Sequence, residues 1–196
     1  MTRGLISELD AQTIEATLRL IVDEFPRETI HVTEVGLFNC ATSIGIHDKL
    51  KQLNTDVIFT GIDNEKDKPI TSFPQWMKLI IGNSNEAYYQ LKDRSQHFIF
   101  IDANHSFSYV VSDFFCYSDK VKLGGYMTFH DTGRHIKPLS GYQSGSYDNP
   151  DSYIAVRKAL KKIGLLDDKF EGWRLAFDRA DETDEMGGIV VIKRIA

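Results

Sequence analysis

The sequence has little cysteine: Cys40 and Cys116 are the only two among 196 residues. Two cysteines make no disulfide framework, so a reducing, cytoplasmic setting is expected. No apolar run is long enough for a membrane span or the core of a secretory signal, which excludes a membrane protein of the helical kind. A basic cluster is also missing. The 23 Lys and Arg residues are scattered and outnumbered by 28 Asp and Glu, giving a net charge of −5, which argues against a nucleic-acid surface. Neither an internal repeat nor a low-complexity segment is present. What remains is an ordinary composition in a chain long enough to bury one core, so one domain over 1–196 is expected.

Two stretches organise the chain. Phe98-Ile99-Phe100-Ile101 runs into Asp102-Ala103-Asn104-His105-Ser106-Phe107, and Tyr126-Met127-Thr128-Phe129 runs into His130-Asp131. Each is a short apolar run that ends in ionisable residues. Buried parallel strands read this way, and ligands of open α/β sheets sit outside the carboxyl ends of such strands. Neighbouring strands would put Asp102, His105, His130 and Asp131 on one rim.

The rest reads as scaffold. Residues 1–28 hold one or two amphipathic helices between Leu5 and Phe25, stopped by Pro26. Strands are expected at Ile30–Val35, Val57–Ile62, Met77–Ile81, His97–Ile101 and Tyr126–Phe129. Helices are expected after the small-residue turn Gly36–Ser43, where Ile44, Ile46 and Leu50 suggest one, over Asn85–Leu91 and over Phe107–Val121, and Gly124-Gly125 is a turn into the fifth strand. Thr132 to Ser152 is rich in Gly, Ser, Tyr and Asn and lacks periodicity, so it is a candidate lid or substrate loop, and Tyr142, Tyr147 and Tyr153 could stack on a sugar or aromatic ring or pack the loop. A helix over Tyr153–Ile163 and two strands, Trp173–Asp178 and Gly188–Lys193, close the chain over 153–196. The acidic stretch from Asp178 to Glu185 reads as a solvated hairpin loop. Trp76 and Trp173 read as core or subunit contacts. Strands alternating with helices and ending in a hairpin predict an α/β fold with a mostly parallel sheet and one antiparallel strand.

Several residues have chemistry of their own. Glu34-Val35-Gly36 ends the first strand in an acid and a glycine turn, where backbone can approach a ligand. Asp63 ends the second strand, and a carboxylate there can accept both hydroxyls of a ribose or cap a helix. Asn83 and Ser84 follow the third, as base-edge contacts or as an N-cap.

The order of these motifs resembles the class I S-adenosylmethionine-dependent methyltransferases, from Ile30 to Arg194. Asp102-Ala103-Asn104-His105-Ser106-Phe107 and Gly124-Gly125-Tyr126-Met127-Thr128-Phe129-His130-Asp131 are similar to motifs of a small branch that includes cation-dependent sugar and small-molecule O-methyltransferases. The resemblance implies a Rossmann-like three-layer sandwich with a seven-stranded sheet, a cofactor-binding core over 29–131, and S-adenosylmethionine as cofactor. It implies cofactor contacts at Glu34, Gly36, Phe38, Asn39, Asp63, Asn83, Ser84 and Asp102. It further implies Mg²⁺ or Mn²⁺ at Asp102, His130 and Asp131, His105 as the base, and a small hydroxylated acceptor of sugar or phenol type. The chain departs from the family in having Cys40-Ala41 where relatives place a second glycine. Two other readings stay open: a non-catalytic binding protein on this fold, and a metal-dependent enzyme of other chemistry. A homo-oligomer is compatible with the sequence.

Overall fold

The computed structural model describes residues 6–64, 73–133, 151–179 and 187–196. Most of the expected loop over 132–152, with Tyr142 and Tyr147, and most of the acidic stretch after Asp178 lie outside them.

Side chains of the central strands sort to two sides with a period of two. Along β1 (Ile30–Val35), Ile30 and Val32 join one core and Val35 the other. In the strand from Gln96 to Ile101, Phe98 and Phe100 face the first core, Ile99 and Ile101 the second. This is the pattern of strands covered on both faces. The first core is closed by α1 (Glu8–Glu24), through Ile14, Leu18 and Ile21, and by α2 (Ala41–Gln52), through Ile46 and Leu50. The second is closed by α3 (Ser84–Ala87), α4 (Phe107–Ser118) and α5 (Asp151–Lys162), with Phe114, Tyr117 and Leu160 fully buried. The molecule is thus a three-layer α/β sandwich.

The remaining strands are β2 (Val57–Asp63), β3 (Met77–Ile81), β4 (Gln96–Ile101), β5 (Val121–His130), β6 (Trp173–Arg179) and β7 (Ile189–Arg194). Their spatial order is β3-β2-β1-β4-β5-β7-β6. β1 to β5 run parallel, and β7 is antiparallel to both β5 and β6. This is the predicted seven-stranded sheet with one antiparallel strand. The order reverses between β1 and β4, which opens a crevice at their carboxyl ends.

The N-terminal segment folds as one helix, within the expected one or two. Two details differ from expectation. The segment after β3 is a short α-turn followed by a 3-10 turn, Tyr88–Gln90, rather than a full helix. β5 starts at Val121, so Gly124 and Gly125 lie inside it. Gly124 has φ +85°, and a Cβ on Gly125 would lie 2.9 Å from the Lys122 carbonyl oxygen and 3.0 Å from that of His97. The β4–β5 register shifts between Gln96 and Phe98 at this level. The glycines therefore make an irregularity within a strand, where the sequence alone reads a turn before it. Trp173 is in the core, whereas Trp76 is 38% exposed and stacks on His47, ring centroids 3.9 Å apart.

Candidate functional site

At the crevice β1 passes through a tight turn into α2. Gly36 has φ +89°, and a Cβ there would lie 2.1 Å from the Asp102 carbonyl oxygen. The glycine is required because two backbones cross: the Asp102 amide donates to Val35 O at 2.8 Å and the Gly36 amide to Ile62 O at 2.9 Å. Phe38 and Cys40 are also left-handed, with φ +48° and +60°. The Cys40 side chain is buried in the core formed with α1 and α2, and burial pushes its thiol up to about 11.

The turn borders a cleft lined by Ile6, Glu34, Gly36, Leu37, Phe38, Asn39, Thr42 and Asp102. Glu34, Gly36, Phe38, Asn39 and Asp102, all expected cofactor contacts, share it. Cys40 is not among its lining residues, so the departure from the family's second glycine does not fill the cleft. Glu34 is 2% exposed and accepts a hydrogen bond from the Ser43 hydroxyl. Burial pushes its carboxyl up to about 8 against that bond, and the charges of Asp102 and Asp63 add to the rise.

The other expected cofactor residues stand apart from this cleft. Asp63 Oδ2 accepts from the Leu37 amide at 2.7 Å and the Phe38 amide at 3.3 Å, so this carboxylate fixes the shape of the turn. Asn83 Oδ1 accepts from Asn64 Nδ2 at 3.1 Å. The Ser84 hydroxyl donates to Asp113 Oδ1 at 2.6 Å, and the Tyr117 hydroxyl donates to Ser84 O.

The rim beside the cleft comes from the ends of β4 and β5. His105 Nε2 is 3.3 Å from Asp102 Oδ1 and 3.3 Å from Asp131 Oδ2. His130 Nδ1 lies 3.4 Å from Asp102 Oδ1 and 3.5 Å from Asp131 Oδ1, and His130 Nε2 is 3.3 Å from Asp10 Oδ2. Among the described residues, Asp102, His105 and Asp131 have ligand atoms within 4.8 Å of one another. His105, expected as a base, is thus the imidazole of the set that could hold a cation, while His130 flanks it. Asp131 is left-handed, with φ +53°. The turn after it is pinned by Thr132 N to Gly188 O at 3.1 Å and by Arg157, which bonds Thr132 O and Asp178.

Opposite charges decide the electrostatics here. Burial opposes charge on both imidazoles, yet Asp102, Asp131 and, for His130, Asp10 outweigh it. His105 is raised above 6.5 and His130 well above. Asp102 is held below the usual carboxylate range by His130 and His105 despite burial, whereas burial lifts Asp131.

Two groups at the site escape sequence reasoning. Ser43 gives no signal beyond being small in a βα turn. Asp10 carries the Ser-x-x-acid spacing of a capping box with Ser7, which announces a helix start and says nothing of His130.

A methyltransferase-domain family model matches residues 33–132, just over half of the chain. The search of curated proteins finds no match. Among solved structures, the O-methyltransferase TomG of Streptomyces achromogenes, involved in tomaymycin synthesis and in complex with S-adenosylmethionine, aligns with a TM-score of 0.67 at 12% identity, over 97% of this chain and 82% of that one. An O-methyltransferase of Bacillus cereus in complex with S-adenosylhomocysteine aligns with a TM-score of 0.65 at 10% identity, over 96% and 82%. At such identities the likeness is one of fold. The matched segment runs through both the glycine turn and the acidic rim, and by it the chain belongs to the methyltransferase-domain family, within the class I S-adenosylmethionine-dependent methyltransferases.

Proposed function

We propose that the chain methylates a hydroxyl of a small acceptor, of sugar or phenol type, with His105 as the base. The observation that carries this is the placement of His105 Nε2 between two carboxylates, on a rim whose Asp102 also lines the cleft. The O-methyltransferase activity named for the two structural relatives is consistent with it. S-adenosylmethionine, when bound, supplies a methyl group on a sulfonium already activated for displacement. Glu34, Gly36, Phe38, Asn39 and Asp102 bind it in the cleft, and Asp63 holds the turn that carries Leu37 and Phe38 in shape. Asn83 and Ser84 stand at the end of β3 for the base. His105 presents Nε2–H to Asp102 and Asp131 and takes the acceptor proton at Nδ1 as the new O–C bond forms and the methyl–sulfur bond breaks, and the two carboxylates stabilise the imidazolium. The remaining task is to hold the acceptor oxygen in line.

A second reading has its own support. Two carboxylates and an imidazole within 4.8 Å, beside the orphaned nitrogen of His130, are a donor set that fits a divalent cation. Asp102, His105 and Asp131 would then hold Mg²⁺ or Mn²⁺, which would favour ionisation of the acceptor hydroxyl.

Calorimetric titration with S-adenosylhomocysteine tests the cofactor site, with micromolar affinity, about −8 kcal/mol, as the expected result. Methyl transfer to a panel of phenols and glycosides then tests the acceptor class. His105→Ala should lower the rate about a hundredfold with cofactor affinity unchanged. Full activity in EDTA supports His105 as the base, and activity lost in EDTA and restored by Mn²⁺ supports the second reading. No binding of S-adenosylhomocysteine under any of these conditions overturns both.

A further inference from the structure

We propose that Asp10 of α1 is a positioning residue for this site, acting through His130 on the two carboxylates that hold His105. The proposal rests on the reading of that rim as the place of methyl transfer.

Asp10 is wholly buried, although it stands in the first turn of a helix, where capping acids are usually left in water. Its cap needs only the exchange with Ser7: the Asp10 amide donates to Ser7 Oγ at 3.1 Å, and the Ser7 amide to Asp10 Oδ2 at 3.2 Å. The same Oδ2 is 3.3 Å from Nε2 of His130, 120 residues away. The opposite strand accommodates this carboxylate as well. A Cβ on Gly187, just before β7, would lie 2.8 Å from Asp10 Oδ2. Burial of a carboxylate is costly unless it is paired, so a helix start that the Ser7 hydroxyl already caps has in addition been built around a buried ion pair.

The consequence is orientation. A carboxylate accepts only, so His130 must present Nε2–H to Asp10, and Nδ1 is the nitrogen turned to the rim. That nitrogen is buried and has no hydrogen-bond partner among the described residues, yet it faces Asp102 Oδ1 and Asp131 Oδ1 at 3.4 and 3.5 Å. The same Asp102 oxygen and the other Asp131 oxygen reach His105 Nε2. A continuous path of alternating acid and imidazole therefore runs from α1 to His105. Without Asp10 the His130 ring can turn over, and both carboxylates lose the group that faces them.

The test is nitrogen NMR of the imidazole rings in wild type, Asp10→Asn and Ser7→Ala, with calorimetry and methyl transfer to the phenol and glycoside panel on the same samples. The expected result is a hydrogen-bonded Nε2–H on His130 in wild type, with ring signals of both His130 and His105 displaced in Asp10→Asn. Ser7→Ala, which weakens the cap alone, should leave both rings as in wild type. The methylation rate of Asp10→Asn should fall tenfold to a hundredfold, the range for partners of site imidazoles, with affinity for S-adenosylhomocysteine kept, and Asp10→Glu should recover part of it. His105 signals unmoved in Asp10→Asn, or moved equally in Ser7→Ala, overturn the proposal. Should Asp10→Asn not fold, the wild-type ring decides: a His130 Nε2 without a bonded proton overturns it. Failure of wild type to bind S-adenosylhomocysteine overturns the methyltransferase reading instead, and leaves the ring measurements standing.

Discussion

Gly36 and Asp113 show how single residues set the limits of this site. At Gly36 the neighbour that a Cβ would meet is backbone, the Asp102 carbonyl oxygen at 2.1 Å, and the φ of +89° is itself unfavourable for any other residue. Neither can relax without moving β4 away from β1. Gly36→Ala should therefore lose about 2–5 kcal/mol in urea unfolding, the sum of a left-handed penalty and an overpacking cost, and should weaken cofactor binding by moving Asp102. Gly82 is the control for the clash alone: its φ is +156°, so a substitution there keeps a backbone penalty, but nothing lies within 4 Å of a Cβ. Asp113 limits the pH range. It is fully buried, with Oδ2 unbonded among the described residues, and burial pushes its carboxyl up from 3.8 to about 6 against the Ser84 bond. The folded state then binds the proton more tightly than the unfolded chain, so stability falls as pH rises from 3.8 through about 6. The loss is on the order of 3 kcal/mol. Asp113→Asn should flatten that part of the stability curve in denaturant titrations at a series of pH values. Glu34, Gly36 and Asp102 could be read from sequence because type and strand-end position suffice. Asp10, Ser43 and Asp113 could not, because what matters in each is a partner brought by the fold.

At the scale of elements, α1 joins the ends of the story. Its inner face, Ile14, Leu18 and Ile21, is legible as a helical period, and Pro26 as its stop. Its N-terminus carries a further job that periodicity cannot show: Ile6 lines the cleft and Asp10 meets His130. The capping box alone should be worth about 1 kcal/mol, so Ser7→Ala should lower the melting temperature modestly and leave the site intact. β5 is the opposite case. Gly124-Gly125 has the composition of a turn, yet the strand continues through it: Gly124 supplies a φ of +85°, and at Gly125 the close His97 and Lys122 carbonyls leave room for no side chain. Local chemistry identified the glycines, while the pairing partner decided their use. The short helix after β3 likewise depends on contacts, with Ser84 tied to Asp113 and Tyr117 of α4.

For the whole molecule, the mostly parallel sheet follows from the alternation of strands and helices, whereas the strand order that opens the crevice between β1 and β4 is set by the fold. The charge arrangement does not follow, because it is a balance among residues on α1, β4 and β5. That balance has opposite effects on rate and on stability. Asp102 and Asp131 raise His105 above 6.5, and His130 is raised further. A raised imidazole stabilises the fold below its unfolded pKa of 6.5, and the contribution is lost as pH climbs through the folded value. A base, however, works only when neutral, so the methylation rate should climb over that same interval. Rate and melting temperature measured from pH 6.5 upward should therefore run in opposite directions. In Asp113→Asn the opposition should persist, because the acid at α4 has its midpoint at about 6 and titrates mostly below that interval. A rate that peaks at or below pH 6.5 would remove His105 as the base and move the weight to the cation-dependent reading, in which His105 holds the metal and the acceptor loses its proton elsewhere.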